Sequence, residues 1–424
     1  MRAIVSAAAV FIAVLVAAPG TLSQQGVTEA PAGFELESNG FAEQFCANQE
    51  ALVDSPNSPL IEDDECNFDA ALEEFTGPET VADGLGPIFN AARCGECHIV
   101  PIIGGSSQIM ERRAGRTVNG VFTDHPGGSL IQDRALFGFA TQETVIQNFT
   151  NVVAFRSSLS VLGDGFVEAV SNNTLQAIAS AQPSSQRGQL INVPVLERPG
   201  TTRVGRFGHK GQQASLVSFS ADAYLNEMGI TSPLQPVENT SNGNPVIDPV
   251  PGENQNPPVF DDEGVDVELF ALFMRSTKVP PRAGNAGASN VVDGEDAFDD
   301  IGCDVCHTPS MVTVGLNTLI NGGALRVPST LANKRIRPFS DFLLHDVGTG
   351  DGIVQNGGQS TRNKVRTPAL WGLRVRGRFM HDASSFSLED AIARHGNQAS
   401  AARNAFNALS SGRRANLLAF LNSL

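Results

Sequence analysis

The chain of 424 residues is 41% apolar and carries 45 acidic against 29 basic residues, for a net charge of −16. Length and composition exclude a disordered polymer and leave room for two or three domains with packed cores. The acidic balance excludes a phosphate-backbone binder, because such a surface repels nucleic acid; it suits a small substrate or a basic redox partner.

The first residues read MRAIVSAAAVFIAVLVAAPGTLSQQ. Arg2 gives a short positive start, Ala3 to Ala18 is an uncharged apolar run, and Thr21 and Ser23 are small residues before a cut ahead of Gln24. This pattern predicts a secretory signal peptide over residues 1–23. The alternative is a retained anchor, but the run is short for a span and polar sequence follows at once. No later stretch is long and apolar enough to cross a bilayer. A periplasmic or secreted protein without a membrane span in the mature chain is therefore expected.

Residues 24–75 read as an acidic N-terminal extension, with turn signals at Ser55-Pro56-Asn57-Ser58-Pro59 and a helix-like stretch from Asp69 to Phe75. Cys46 and Cys66 are the two cysteines outside Cys-x-x-Cys pairs. In an oxidising compartment they are expected to form a structural disulfide; redox catalysis is the lesser alternative, since neither has a Cys-x-x-Cys context. A first core region follows, from about Gly84 to Ser232. The Pro-, Asn- and Gly-rich stretch between Gln235 and Glu263 reads as a long loop. VDVELFALFMRST has a helical apolar period that Pro280-Pro281 stops. Residues 282–293 form a second connector, and the last region runs from Gly294 to Leu424.

The strongest chemical signal is a repeated motif: Cys94-Gly-Glu-Cys97-His98 and Cys303-Asp-Val-Cys306-His307. One helical turn sets two thiols against the two vinyl groups of a haem, and the following His faces the iron as proximal ligand. A structural zinc site would need four converging ligands, and a plain disulfide would not call for His after both copies. Two covalent c-type haems are expected. Phe89 lies five residues before Cys94 and Phe298 five before Cys303, each leading through a helical turn into its motif. The fold expected is therefore mainly α: two cytochrome c-like helical domains, 76–282 and 283–424, with long loops and the N-terminal extension.

Five histidines remain for the distal positions: His125, His209, His345, His381 and His395. Leu388, Ala391, Ile392 and His395 fall on one face of a short helix, Ser387 and Asp390 resemble a capping-box start, and Gly396 is placed to end it. An inward imidazole beside a haem that lacks a distal ligand is expected to ligate it; a hydrogen-bonded core His is the alternative. His125, before Pro126-Gly127-Gly128, reads as a surface turn. His381 and His345, each followed by Asp, read as oriented imidazoles near a haem edge or as polar loop residues. Arg362, Arg366, Arg374, Arg376 and Arg378 could neutralise haem propionates or form a solvated basic face. Met110, Met228, Met274, Met311 and Met380 can ligate by chemistry but are mostly packing residues, and Trp371 reads as core.

These residues bring the chain close to a known family. The segments GLGPIFNAARCGECH, VGRFGHKGQQASL, AYLNEMGITSP, IGCDVCHTP, DFLLHDVG, VRTPALWGL, RFMHDASSFSLEDAIARHG and LLAFLNSL resemble the bacterial di-haem oxidoreductases labelled thiol oxidoreductase-like or di-haem peroxidases. Those are relatives of the di-haem cytochrome c peroxidases and of the methylamine dehydrogenase maturation enzyme. The resemblance covers nearly everything from about Gly84 onward. It implies that the N-terminal haem meets an oxidant such as hydrogen peroxide, and that the C-terminal haem passes electrons from a redox partner protein. It also implies that His395 is the distal ligand of the second haem, and that Glu227 is the acid-base group that moves the peroxide proton; a solvated loop acid is the alternative. Two departures stand out: His209 replaces an expected Trp near the inter-haem position, where it could even ligate, and Ala383 replaces Gly after His381-Asp382. Two other readings stay open: an electron carrier with both irons six-coordinate, and a maturation enzyme that oxidises a partner protein.

Overall fold

The computed structural model describes residues 26–57, 59–247 and 259–424. The expected signal peptide and the middle of the loop expected between residues 235 and 263 lie outside the described residues.

One helix organises the larger core. Val265–Ser276 is buried from Val267 to Ser276, with Leu269 to Met274 an unbroken apolar run at its centre. Its acidic first turn (Asp266, Glu268) and Arg275 in its last turn both complement the helix dipole. It ends at Ser276, four residues ahead of Pro280-Pro281, where Thr277 turns extended. Four other helices pack on it: Phe41–Cys46, Phe68–Thr76, Asp164–Glu168 and Leu216–Ala223. The stretch expected around Asp69 is thus a helix, capped by the Asn67 side chain accepting from the Ala70 N–H at 2.8 Å. The larger core also takes Met311, Leu325, Val327, Leu331, Phe342 and Trp371 from late in the chain.

A smaller core joins the helices Ser289–Asp300 and Ser411–Leu421 around Phe298, Phe339 and Phe420. Phe298 and Phe339 each lie edge-on to Phe420 with ring centres 5.3 Å apart, a favourable aromatic geometry.

The expectation of a mainly α, cytochrome c-like fold is overturned. Helices take up 31% of the chain and strands 16%, in many small sheets. The largest sheet has four antiparallel strands: Met110–Val118 pairs with Val121–Asp124, Leu130–Ile131 and Val152–Ser157. Thr28–Glu29 pairs in parallel with Lys334–Ile336, which ties the extension to the late part of the chain. The first motif is entered by a two-residue strand, Ile88–Phe89, and only the second by a helix. The physical reason is that most strands are two or three residues long, too short to show alternation. The longest, MERRAGRTV, buries Arg113 rather than an apolar side chain at an inward position.

Cys46 and Cys66 form the expected disulfide, with Cα atoms 5.4 Å apart and a sequence separation of 20. It closes the extension over Phe41, Phe45 and Phe68, all buried in the larger core. Replacing both cysteines by Ala should lower stability by roughly 2–4 kcal/mol, the usual effect of opening a loop of this size. Denaturant unfolding of the haem-loaded protein measures this, with the visible spectrum expected to stay unchanged.

Candidate functional site

The second motif leaves helix Ser289–Asp300 and runs through turns, so that His307 packs beside Phe298 with ring centres 6.0 Å apart. His307 Nδ1 lies 3.0 Å from the Phe339 carbonyl and must donate to it. Its Nε2 therefore carries the lone pair. Opposite stands the helix Leu388–Ala393, capped by Ser387 Oγ accepting from the Asp390 N–H at 3.1 Å. This helix stops at Ala393, and Gly396 is extended rather than a left-handed terminator. His395 Nδ1 donates to the Ala391 carbonyl at 2.7 Å, which again leaves Nε2 free. Burial, and for His307 the neighbouring His395, keep both rings neutral; His307 is pushed down to about 4.

The two imidazoles stand with ring centres 6.4 Å apart and planes tilted by 49°. A metal–imidazole bond is about 2 Å long, so two rings on opposite sides of one metal stand roughly 6 Å apart, as these do. Cys303 and Cys306 line the same cavity of about 230 Å³, as do Leu388, Ala391 and Ile392 of the helix and His395 just past its end. A flat apolar macrocycle with a central iron fits this donor set and cavity.

The first motif has a matching construction. Cys94–Cys97 is a one-turn helix, and His98 Nδ1 donates to the Gly105 carbonyl at 3.1 Å. Phe75 stands 6.1 Å from the His98 ring and 4.4 Å from Phe273. Phe75, not Phe89, thus plays the part beside His98 that Phe298 plays beside His307. Burial pushes the Cys97 and Cys303 thiols up to about 12, and those of Cys94 and Cys306 up as well. Among the described residues, neither motif gathers the four ligands of a zinc site. The one group of three candidate ligands is Cys306, Asp341 and His345.

Glu227 is not on a loop. Helix Leu216–Ala223 runs on into a π-helical turn, Tyr224–Met228, that carries it. Such turns are frequent at functional sites. Gly229 then ends the turn at φ 74°, where an added Cβ would meet the Gly86 carbonyl oxygen at 2.7 Å, so glycine is required. Glu227 Oε2 accepts from Asn90 Nδ2 at 2.9 Å, and the Cys97 thiol feels its charge. Burial, and next the charge of Glu111, push the Glu227 carboxyl up to about 7. Glu111 has the opposite fate. Although burial works against it, Arg113 (2.8 Å) and Arg156 (3.3 Å) hold it down at about 2.

Arg156 also pairs with Asp351 at 2.6 Å, and Lys210 reaches the same carboxylate at 2.8 Å. This buried chain of charges lies beside His209, whose Nε2 is 2.9 Å from the Ser157 carbonyl. Burial, then Arg156, push His209 down to about 3, so it is neutral and donates through Nε2. His381 stands 6.4 Å from it, and both rings line the cavity near His395. His345 is buried against Asp341 at 2.7 Å, with Cys306 Sγ 3.6 Å away. His125 corrects the expected surface turn: it is 1% exposed, held between the Pro126 and Val145 carbonyls. Met228, Met274, Met311 and Trp371 are core, Met110 is exposed, and Met380 lines the cavity.

Glu111, Arg113, Arg156 and Phe75 escaped the sequence reading. The cross-strand pairing of Glu111 with Arg156 leaves no periodic signal, and a helix some twenty residues before the motif gave no reason to single out Phe75.

No helix among the described residues is long and apolar enough to cross a membrane. No curated protein matches the chain. Among solved structures, hydrazine synthase of Kuenenia stuttgartiensis pressurised with xenon is similar at TM-score 0.40 and 12% identity, over 99% of this chain and 100% of that one. A MauG-like protein associated with microbial copper homeostasis is similar at TM-score 0.25 and 20% identity, over 38% of this chain and 52% of that one. Residues 141–424 match the family described as "Di-haem oxidoreductase, putative peroxidase". The match takes in Glu227, the second motif and His395, and begins beyond the first motif. The chain belongs to this family of di-haem oxidoreductases and is a haem-using oxidoreductase.

Proposed function

We propose that this is an exported, periplasmic di-haem c-type cytochrome of peroxidase type. In this reading regions 76–282 and 283–424 each hold one haem through thioethers: the first to Cys94 and Cys97 with His98 proximal, the second to Cys303 and Cys306 with His307 proximal and His395 distal. The first meets a small oxidant such as hydrogen peroxide, and the second passes it electrons from a redox partner protein. The observation that carries the reading is the 6.4 Å pairing of His307 and His395 across a cavity lined by both cysteines of the motif.

When bound, haem iron supplies the one-electron chemistry and the place where peroxide is held. The chain's own groups supply orientation and proton movement. The Gly105 and Phe339 carbonyls fix the proximal imidazoles by accepting from Nδ1, which orients each Nε2. Glu227, as carboxylate, takes the proton from the near oxygen of peroxide and returns it to the far one, so that the leaving oxygen departs neutral. Asn90 holds the carboxyl in place. His209 has its Nε2 engaged by Ser157, which favours peroxidase over the electron-carrier reading by keeping this His from serving as a ligand through that atom.

Three outcomes test this. Acid-acetone extraction should leave the colour on the protein, and a pyridine haemochrome assay should count two haems per chain; extractable haem, or a count of one, refutes the attachment. His395→Ala should turn one low-spin iron high-spin, read by electron paramagnetic resonance; an unchanged spectrum moves the distal role elsewhere. Glu227→Gln should slow oxidation of the reduced protein by peroxide by roughly 10²–10⁴-fold. In the unaltered protein that rate should fall as pH drops through about 7, because protonation removes the accepting carboxylate. A rate flat across this range, or indifferent to Glu227→Gln, refutes the acid-base assignment.

A further inference from the structure

The cavity beside His307 and His395 has a charge that contradicts the rest of the molecule. The chain has a net charge of −16, yet four arginines line this cavity (Arg366, Arg376, Arg378 and Arg403) and no Asp or Glu does. Three of the four are engaged by the protein. Arg366 Nε donates to the Gly208 carbonyl at 2.7 Å. Arg378 stacks 4.4 Å over the Phe386 ring. Arg403 hydrogen-bonds to Asn404 Oδ1 at 3.3 Å.

Arg376 differs. It is part-buried, lines the cavity, and its guanidinium has no hydrogen bond, ion pair or ring partner among the described residues. Burial, with no carboxylate beside it, pulls its affinity for a proton below the ordinary guanidinium value. A guanidinium remains charged in proteins and offers five N–H donors, so a half-buried one without a protein partner favours an anion beside it. At the cavity wall it is placed to meet a negative charge on whatever fills the cavity. The other arginines of this stretch are accounted for: Arg362 Nη1 donates to the Gly120 carbonyl at 2.6 Å, and Arg374 lies 5.1 Å over Phe34.

We infer that Arg376 anchors a propionate carboxylate of the haem held by His307 and His395, and so fixes which way round that haem sits and where its potential lies. This rests on the two-haem reading above. A carboxylate is the anion that guanidinium geometry matches best, through two parallel N–H···O bonds. The macrocycle's apolar body suits Leu388, Ile392 and Phe406 on the cavity wall, and its propionates are its only charged groups. Neutralising one propionate also raises the iron's potential, because an unanswered negative charge nearby favours the oxidised, more positive iron.

The test is a spectroelectrochemical titration of the two-haem protein carrying Arg376→Gln or Arg376→Lys. Arg376→Gln should lower the potential of the low-spin haem and leave the other unmoved, and Arg376→Lys, which keeps the charge, should recover most of the shift. Equal potentials in Arg376→Gln and the unaltered protein overturn the assignment. If Arg376→Gln does not accumulate, the propionate bending band in the resonance Raman spectrum of Arg376→Lys decides. A shifted band supports the contact, and a band at the unaltered frequency overturns it. A haem count below two in the unaltered protein would instead refute the two-haem reading, so the two failures are distinguishable.

Discussion

The structure hangs on a buried ion pair. Glu168, fully buried, accepts from Arg275 Nε at 2.7 Å and Nη2 at 3.0 Å, from the Leu216 N–H at 2.8 Å and from Asn321 Nδ2 at 2.9 Å. One carboxylate thereby joins the helix Asp164–Glu168, the end of the central helix, the start of the helix that carries Glu227, and a turn late in the chain. Burial disfavours its charge, but Arg275 and the other donors hold Glu168 below its ordinary pKa. A satisfied buried pair of this kind adds little net energy against an apolar alternative. Its effect is positional, because removing one partner would strand a buried charge at a cost of about 3–5 kcal/mol. The elements it joins are therefore locked in one arrangement. Through the central helix that arrangement fixes Phe273 against Phe75, and Phe75 against His98.

The two motif histidines share one local design despite different surroundings. Each imidazole donates Nδ1 to a backbone carbonyl and packs a phenylalanine beside its ring. Backbone carbonyls suit this role because they are held rigidly, accept only, and cannot titrate. Burial keeps each ring neutral, which is also what a metal ligand requires. The designs part on the other side of each ring. Opposite His307 stands a second imidazole. Near the first motif lie Glu227, Asn90 and the ion-paired Glu111 and Arg113 instead, a polar setting suited to moving protons.

The local construction of the candidate site was more legible in the sequence than the fold. Cys-x-x-Cys-His is read from spacing alone, and His395 from its place with Leu388, Ala391 and Ile392, because both signals are local. The helix Val265–Ser276 was legible for the same reason. The fold class was not: ribbons such as Leu319–Ile320 with Leu325–Arg326 are too short to carry a period. The Phe89–Phe298 correspondence misled because equal spacing in sequence does not ensure equal placement. His125 misled because Pro126-Gly127-Gly128 does form a turn, but one that buries the ring. The arginines between 362 and 378 look alike in sequence, and only their partners separate Arg376 from the rest.

Glu227 and Glu111 show how burial assigns different roles to chemically equivalent groups. Both are withdrawn from water, which by itself would raise both. Glu111 lies within reach of two guanidiniums, Arg113 beside it and Arg156 across the strand pair, and so stays ionised. That fixed charge is the second cause, after burial, that raises Glu227, while Arg113 and the Asn90 hydrogen bond work the other way and Asp222 adds to the rise. The balance leaves Glu227 near neutrality, where a carboxyl gains and loses a proton with least work on either side. The ion pair extends through Arg156 to Asp351 and Lys210, so one of the two cations that keep Glu111 charged, Arg156, also helps keep His209 neutral. One connected set of buried charges thus bears on both groups after burial itself: Glu111 and Arg113 act on the candidate acid-base group, and Arg156 acts on the imidazole of His209.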